Sequence, residues 1–429
     1  MLILRHKQPG FAKAIRSLNR VFSPGDEVRA TVAQILRDVR EKGDAALLGY
    51  TAKFGGPKLK VSQLHVGKPE IDAANKHIKT KTREAVLAAH ANVRAFAKNS
   101  LRKSWKAKNK QGVEVGERFD PFQRVGIYVP GGTAPLVSTA IMTCTLAAAA
   151  GVPEIVVATP ADAKGNINQA LLYALDFAGA TEIYKAGGAQ AIAALASGTK
   201  TIAPVLKIFG PGNAYVVEAK RQVFGQVAID LLPGPSEILI IADKTAKPAW
   251  IAADMLAQAE HGHGSSAGMI TDSPKVLDAV QKEVKAQAGR LSRQKHLLEV
   301  LEKHTFLVLV AKLGDAVKLA NDFAPEHLSI VAKDADKLAG DIRTSGAIFL
   351  GSRSPIVGGD FVAGPSHELP TGGASKSFSG LTADQFQRRT SIVRFSKKSL
   401  KKSLPFIETF SEMEGLDAHG HSAAIRFEK

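Results

Sequence analysis

The chain reads as an α/β protein of two tandem units with parallel-sheet cores, preceded by a helical N-terminal region and closed by a small C-terminal segment. Two observations carry this expectation. From Arg124 onward, short apolar runs alternate with helical stretches, the pattern of a parallel sheet covered by helices on both faces. Most runs of the first series also end in a turn of small residues that opens a helix. With 429 residues, 45% of them hydrophobic and 23% charged, the chain has ample material for a core and no compositional sign of disorder.

Taken in order, residues 26–49 and 69–103 predict helices, because apolar side chains such as Val28, Val32, Ile35, Leu36 and Val39 recur at helical spacing. The helical region is placed at 1–123. A first α/β unit follows at 124–234, with strands expected at 125–129, 154–158, 182–184, 205–209 and 227–229. Its turns are Pro130-Gly-Gly-Thr-Ala, Ala186-Gly-Gly-Ala-Gln190 and Gly210-Pro-Gly-Asn213, at the strand ends where open α/β sheets bind ligands. A second unit at 235–379 has strands expected at 238–242, 269–271, 306–310, 328–331 and 347–350, and two such units imply a cleft between them. The segment 380–429 is read as one strand at 391–395, a helix from Lys398 to about Met413, and a polar tail.

Composition bounds the function. The single cysteine, Cys144, excludes an intrachain disulfide, a CxxC redox pair and a cysteine-rich zinc cluster, and a reducing cytoplasm fits. The apolar start Met1-Leu-Ile-Leu gives way at once to Arg5-His-Lys7, too short for a secretory core. The long uncharged run 125–153 is interrupted by Pro130, Gly131, Gly132 and Pro135, and is expected to hold a buried helix rather than a membrane span. A net charge of +17, densest at 101–110 around Trp105, raises nucleic-acid binding. No nucleic-acid motif accompanies it, so a solvated basic face that weakly attracts anionic cofactors is the reading, without nucleic-acid or membrane partners.

Chemistry-bearing residues cluster in the second half. Gln258-Ala-Glu-His261-Gly-His263 ends a helix, with an amide and an imidazole three residues apart on one face. Together with Asp360 and His419 they offer an N/O donor set without thiolate, for which zinc is the leading metal and manganese the next. A helical His before Gly is also a common C-terminal cap, and His263 and His421 resemble His261 and His419. Glu326-His327, pinned behind Pro325, pairs a carboxylate with an imidazole suited to moving protons near neutral pH. Successive strand residues point to opposite faces, so joint action requires irregular backbone there. Finally, the strand 205–209, the turn Gly210-Pro-Gly-Asn213, a helix and Asp230 mimic a Rossmann dinucleotide fingerprint, with Tyr215 where the third glycine belongs.

The ordered segments Tyr128-Val-Pro-Gly-Gly, Gly187-Gly-Ala-Gln-Ala-Ile, Gly210-Pro-Gly-Asn, Gly234-Pro-Ser-Glu, Gln258-Ala-Glu-His-Gly, Ala324-Pro-Glu-His-Leu, Gly359-Asp360, His367-Glu-Leu-Pro-Thr and Glu414-Gly-Leu-Asp-Ala-His resemble the histidinol dehydrogenase family, from about residue 25 to the end. The resemblance implies two Rossmann-like units and a zinc-dependent, NAD-linked oxidation of L-histidinol, through the aldehyde, to L-histidine in the last steps of histidine biosynthesis. It implies zinc on Gln258, His261, Asp360 and His419, with one zinc per subunit, and an acid/base pair in Glu326 and His327. It further implies substrate contacts from Ser236, His367 and Glu414 besides the metal ligands and His327, and NAD contacts from Tyr128, Gln190 and Asn213. A homodimer is implied as well, in which the C-terminal segment completes the partner's site. Ser366 and Pro233 stand where the family often has Asn and Ala. The alternative is a paralogous NAD-dependent dehydrogenase of another polar alcohol, against which Glu414 with His419 speaks, as a pair suited to a cationic imidazole substrate.

Overall fold

Short runs rich in Ile, Val and Leu have the length of buried strands, and they form them. The computed structural model describes residues 1–18, 25–131, 135–262, 264–291 and 294–428. In chain order the strands are β1 (Leu2–Arg5), β2 (Trp105–Lys108), β3 (Glu114–Pro121), β4 (Arg124–Tyr128), β5 (Glu154–Thr159), β6 (Glu182–Lys185), β7 (Lys207–Phe209), β8 (Ala228–Ile229), β9 (Glu237–Ala242), β10 (Ser266–Thr271), β11 (Thr305–Leu309), β12 (His327–Val331), β13 (Ala347–Leu350) and β14 (Gln387–Arg394). The fold is α/β with two parallel sheets. A five-stranded sheet has the order β6-β5-β4-β7-β8, and a six-stranded sheet the order β1-β11-β10-β9-β12-β13.

Leaving β1 aside, both sheets follow one scheme, in which the first strand of the unit lies centrally beside the fourth. The strand order therefore reverses between β4 and β7 and between β9 and β12, the switch points at which open α/β sheets form crevices. Both faces of each sheet are covered, which is why the strands are almost wholly apolar. In the first sheet Val125, Ile127 and Val157 pack with the helices Val137–Ala149 and Thr80–Ser100. Tyr128, Val156 and Ile208 pack on the other face, with the helices Asp26–Lys42 and Gly188–Ser197. In the second sheet Ile238 and Ile240 face one core while Leu239 and Ile241 face the other.

Two expectations are corrected. The N-terminal region is not purely helical: β1 adds itself in parallel to β11, Leu2 opposite Phe306, at the edge of the second sheet. Four residues make too short a signal by themselves, and only the distant partner strand stabilises them as β-structure. The stretch after residue 101 is also extended, since β2, β3 and β14 form an antiparallel sheet of order β14-β3-β2. In it the basic run lies on the exposed edge strand, where Trp105 Nε1 donates to Glu117 Oε2 at 2.9 Å and Lys106 Nζ lies 3.4 Å from Glu114 Oε1. Charged side chains are usual on such an edge because they discourage further strand pairing. The expected C-terminal helix spans Lys397–Glu414, and the polar tail adds a second, Asp417–Ala424, which packs on it.

The uncharged run resolves into β4 and the buried helix Val137–Ala149. Among the described residues no helix is long and apolar enough to cross a membrane. Two expected helices are each divided, into Asp26–Lys42 and Asp44–Lys53 around Gly43, and into Lys68–His77 and Thr80–Ser100.

Candidate active site

At the amino end of a parallel strand the first backbone groups have no ladder partner, and here side chains take them. Glu237 opens β9 and Glu326 immediately precedes β12, its neighbour. The Glu237 N–H donates to Glu326 Oε2 at 2.7 Å, and the Glu237 carbonyl lies 3.2 Å from His327 Nδ1. The Nδ1–H therefore donates to that carbonyl, and the lone pair falls on Nε2, which lies 3.7 Å from Asp360 Oδ1. Glu326 Oε2 is 3.6 Å from His327 Nδ1, so carboxylate and imidazole share one side of the sheet edge. Irregular backbone permits this: Glu326 stands before the strand begins, and Ala324 is held in the left-handed region at φ 51°, the only non-glycine residue among those described with positive φ. Glu326, His327 and Asp360 are all buried, and burial pushes the His327 imidazole down to about 4, keeping it neutral at pH 7.

Gln258 lies at the end of the helix Pro248–Ala259, which packs against the helix Ile356–Phe361 carrying Asp360. Its side chain is fully buried, yet neither amide atom has a hydrogen-bond partner among the described residues. An orphaned amide costs about 1–3 kcal/mol, so a buried carboxamide left this way fits a ligand that the protein atoms do not supply. His261 is corrected from a helical position to the turn beyond the helix end, because Glu260 caps the helix and Gly262 follows. Its Nδ1 lies 3.3 Å from the Ala257 carbonyl, which leaves Nε2 as the donor atom for a metal. His261 and His367 are both close enough to His327 to disfavour its protonation electrostatically.

His419 and Glu414 are not part of this group. Both are exposed on the C-terminal helical pair, where they line a groove of about 410 Å³ with Phe395, Phe406, Phe410 and Leu416. No three His, Cys, Asp or Glu side chains among the described residues form a metal-holding cluster. His421 lies on the same terminal helix as His419, and His263 lies outside the described residues, as do residues 132–134 of the first glycine turn.

His367 bridges the two units. Its Nδ1 lies 3.0 Å from the Asp360 carbonyl and its Nε2 2.9 Å from Thr139 Oγ1, on the helix that follows β4. Its backbone N–H points to Met142 Sδ at 3.4 Å. Burial works to lower its pKa, but the Glu368 carboxylate, 3.5 Å from Nε2, and Asp360 outweigh burial and raise it above the ordinary value. The carboxyl end of the first sheet thus meets the amino end of the second, with half-buried Ser236 in the turn just before β9.

Tyr128, Gln190 and Asn213 lie at the carboxyl end of the first sheet. The Tyr128 hydroxyl accepts from the Gly188 N–H at 3.1 Å, and Gln190 Oε1 is buried without a hydrogen-bond partner among the described residues. Asn213 caps the helix Ala214–Val223 by accepting from the N–H groups of Tyr215 and Val216. Gly210, at φ 109°, approaches so closely that a Cβ there would sit 2.1 Å from the Tyr128 carbonyl oxygen. Asp230 departs from the Rossmann expectation: its carboxylate is buried against Lys220 and accepts from the Gly210 N–H at 2.7 Å, while Lys220 Nζ donates to the Gly210 carbonyl at 2.8 Å. Its carboxylate braces the turn. The parts played by Lys220, Thr139, Glu237 and Glu368 have no local signal in the sequence: a charge heads other apolar strands too, as Arg124, Glu154 and Glu182 head β4, β5 and β6.

A buried carboxylate and imidazole group where two parallel-sheet units meet is the arrangement of an α/β enzyme's site. The family model of histidinol dehydrogenase matches residues 19–427. Histidinol dehydrogenase of Geobacillus kaustophilus is 43% identical over 414 residues, 96% of this chain and 97% of that one, and that of Rhizobium meliloti 45% identical over 401 residues, 94% and 92%. A crystal structure of histidinol dehydrogenase from Elizabethkingia anophelis superposes with a TM-score of 0.95 at 34% identity, covering 100% of this chain and 98% of the other. The chain belongs to the histidinol dehydrogenase family.

Proposed function

We propose that the chain carries out the full four-electron oxidation of L-histidinol, through L-histidinaldehyde, to L-histidine, with NAD as acceptor and one zinc per subunit, in a reducing cytoplasm. The observation that carries the reading is the orphaned, fully buried carboxamide of Gln258, at the end of a helix packed on the one that carries Asp360. Gln258, His261 and Asp360 would hold the metal, with His419 of the partner subunit completing the set. Bound zinc would supply a Lewis acid that orients and polarises the substrate, and NAD would supply the hydride acceptor. The residues of the first unit that fit NAD are Tyr128, Gln190 and Asn213, around a turn where only glycine allows so close an approach.

The chain's own residues then handle protons. His327, neutral and with its lone pair on Nε2, takes the alcohol proton in the first oxidation. The aldehyde must gain water before the second, and Glu326 would accept a proton from that water. Ser236 and His367, with Glu414 from the partner, would bind the polar ends of the substrate. A thiohemiacetal route has no support, because Cys144 is fully buried in the helix Val137–Ala149 and burial pushes its thiol up to about 12.

Absorbance of NADH during exhaustive turnover tests the reading. Two NADH formed per histidinol, with no comparable rate on simple alcohols, is the expected result. One NADH with accumulation of aldehyde, or faster turnover of another polar alcohol, overturns it.

A further inference from the structure

Five of the six residues of β9 are Ile238, Leu239, Ile240, Ile241 and Ala242, all buried between two cores, yet the first is a glutamate only 1% exposed. A carboxylate buried at the head of an apolar strand is costly unless it performs a task no apolar residue can. Its backbone already touches both members of the acid/base pair, the N–H on Glu326 Oε2 and the carbonyl at His327 Nδ1. Its side chain reaches elsewhere: Glu237 Oε1 accepts from the Gly372 N–H at 2.8 Å, and three residues earlier the Gly234 N–H donates to Thr371 Oγ1. These two bonds clasp the turn that leads into β9 to the segment that follows His367.

We propose that Glu237 is a positioning residue for the reaction, its carboxylate fixing the head of β9 so that its peptide groups hold the Glu326 carboxylate in place and the His327 ring in the tautomer with Nε2 unprotonated. The proposal rests on the reading of Glu326 and His327 as the proton carriers. In this role Glu237 acts through Glu326 and His327 rather than on the reacting atoms. Loss of the clasp lets the strand head shift, and a misplacement of about 1 Å in reacting groups costs on the order of a hundredfold in rate.

The test compares Glu237→Leu, Glu237→Gln and His327→Asn in the full enzyme, with metal content measured by elemental analysis. For Glu237→Leu, kcat should fall about tenfold to a hundredfold, as losses of supporting hydrogen bonds do. The KM values for histidinol and NAD should move by less than about threefold, because the interaction lost is one felt in the transition state. Metal content should be unchanged. Glu237→Gln should recover most of the rate, since the amide oxygen can accept the same Gly372 N–H. A folded Glu237→Leu enzyme with wild-type kcat overturns the proposal, and so does Glu237→Gln failing as badly as Leu, which would mean that the charge itself acts. Should Glu237→Leu not fold, Glu237→Asp, which withdraws the carboxylate by one carbon, is read by the same criteria. An inactive His327→Asn beside a fully active Glu237→Leu defeats the positioning role alone, whereas a fully active His327→Asn defeats the acid/base reading beneath it.

Discussion

The His327 ring is neutral because it is buried, and its protonated nitrogen is chosen by the Glu237 carbonyl, so its pKa and its tautomer have separate causes. Removing the base should cost about 10²–10⁴-fold in the step it serves. His327→Asn should accordingly slow oxidation of the alcohol, and Glu326→Gln the conversion of the aldehyde; single-turnover assays started from each substrate check both, and wild-type rates would clear the residue of its role. Burial also ties His327 to stability. The unfolded imidazole takes up its proton near 6.5 and the folded one only near 4, so the folded state's advantage is complete above about 6.5 and is lost as the pH falls towards 4. Calorimetry should show wild type losing melting temperature over that interval relative to His327→Asn. Cys144→Ser should keep its rate within about fewfold limits, where loss of a nucleophile costs orders of magnitude. A collapse of turnover in the folded variant would revive covalent catalysis.

Elements place these residues at particular edges. The second sheet uses its amino end, where unpaired strand N–H groups receive carboxylates, and the first uses its carboxyl end, where glycine turns open helices. Histidines, carboxylates and turn glycines were legible in the sequence because they are local; which edge of a sheet they meet is not local and was not legible. The turn at Gly210 illustrates the difference. Its resemblance to a dinucleotide fingerprint is local, but nothing in the intervening residues marks Lys220 as the partner of Asp230. Gly210→Ala forces a Cβ onto the Tyr128 carbonyl at φ 109°, and strain of this kind costs about 1–3 kcal/mol or more. Denaturant titration should register that loss together with a raised KM for NAD, and a variant as stable as wild type would mean that the turn relaxes freely.

At the scale of the whole molecule, the C-terminal pair of helices exposes Phe406, Phe410 and Met413 together with Glu414 and His419, away from Asp360. That separation supports active sites shared between subunits. Mixing inactive His419→Ala with inactive His261→Ala under subunit exchange should restore activity, because one of the two shared sites in each heterodimer is then wholly wild type. If His419 serves its own chain, no recovery follows even where mass analysis proves exchange. Metal removal is a second test at this scale: chelation should abolish oxidation, and zinc or manganese should restore it, whereas full activity in protein proven metal-free would exclude a metal site.

By itself the sequence determined the two series of strands, their glycine turns, the buried helix around Cys144 and the candidates Gln258, His261, Glu326, His327 and Asp360, because alternation, turn chemistry and residue type are written within a few neighbouring positions. Only the tertiary structure decided that Leu2–Arg5 extends the second sheet, that Trp105–Lys108 joins a sheet with Gln387–Arg394, that Lys220 occupies Asp230, and that the Glu237 peptide groups meet Glu326 and His327. Each of these joins segments whose association depends on packing of the whole chain rather than on the propensity of either segment, and that long-range free energy leaves no local trace to read.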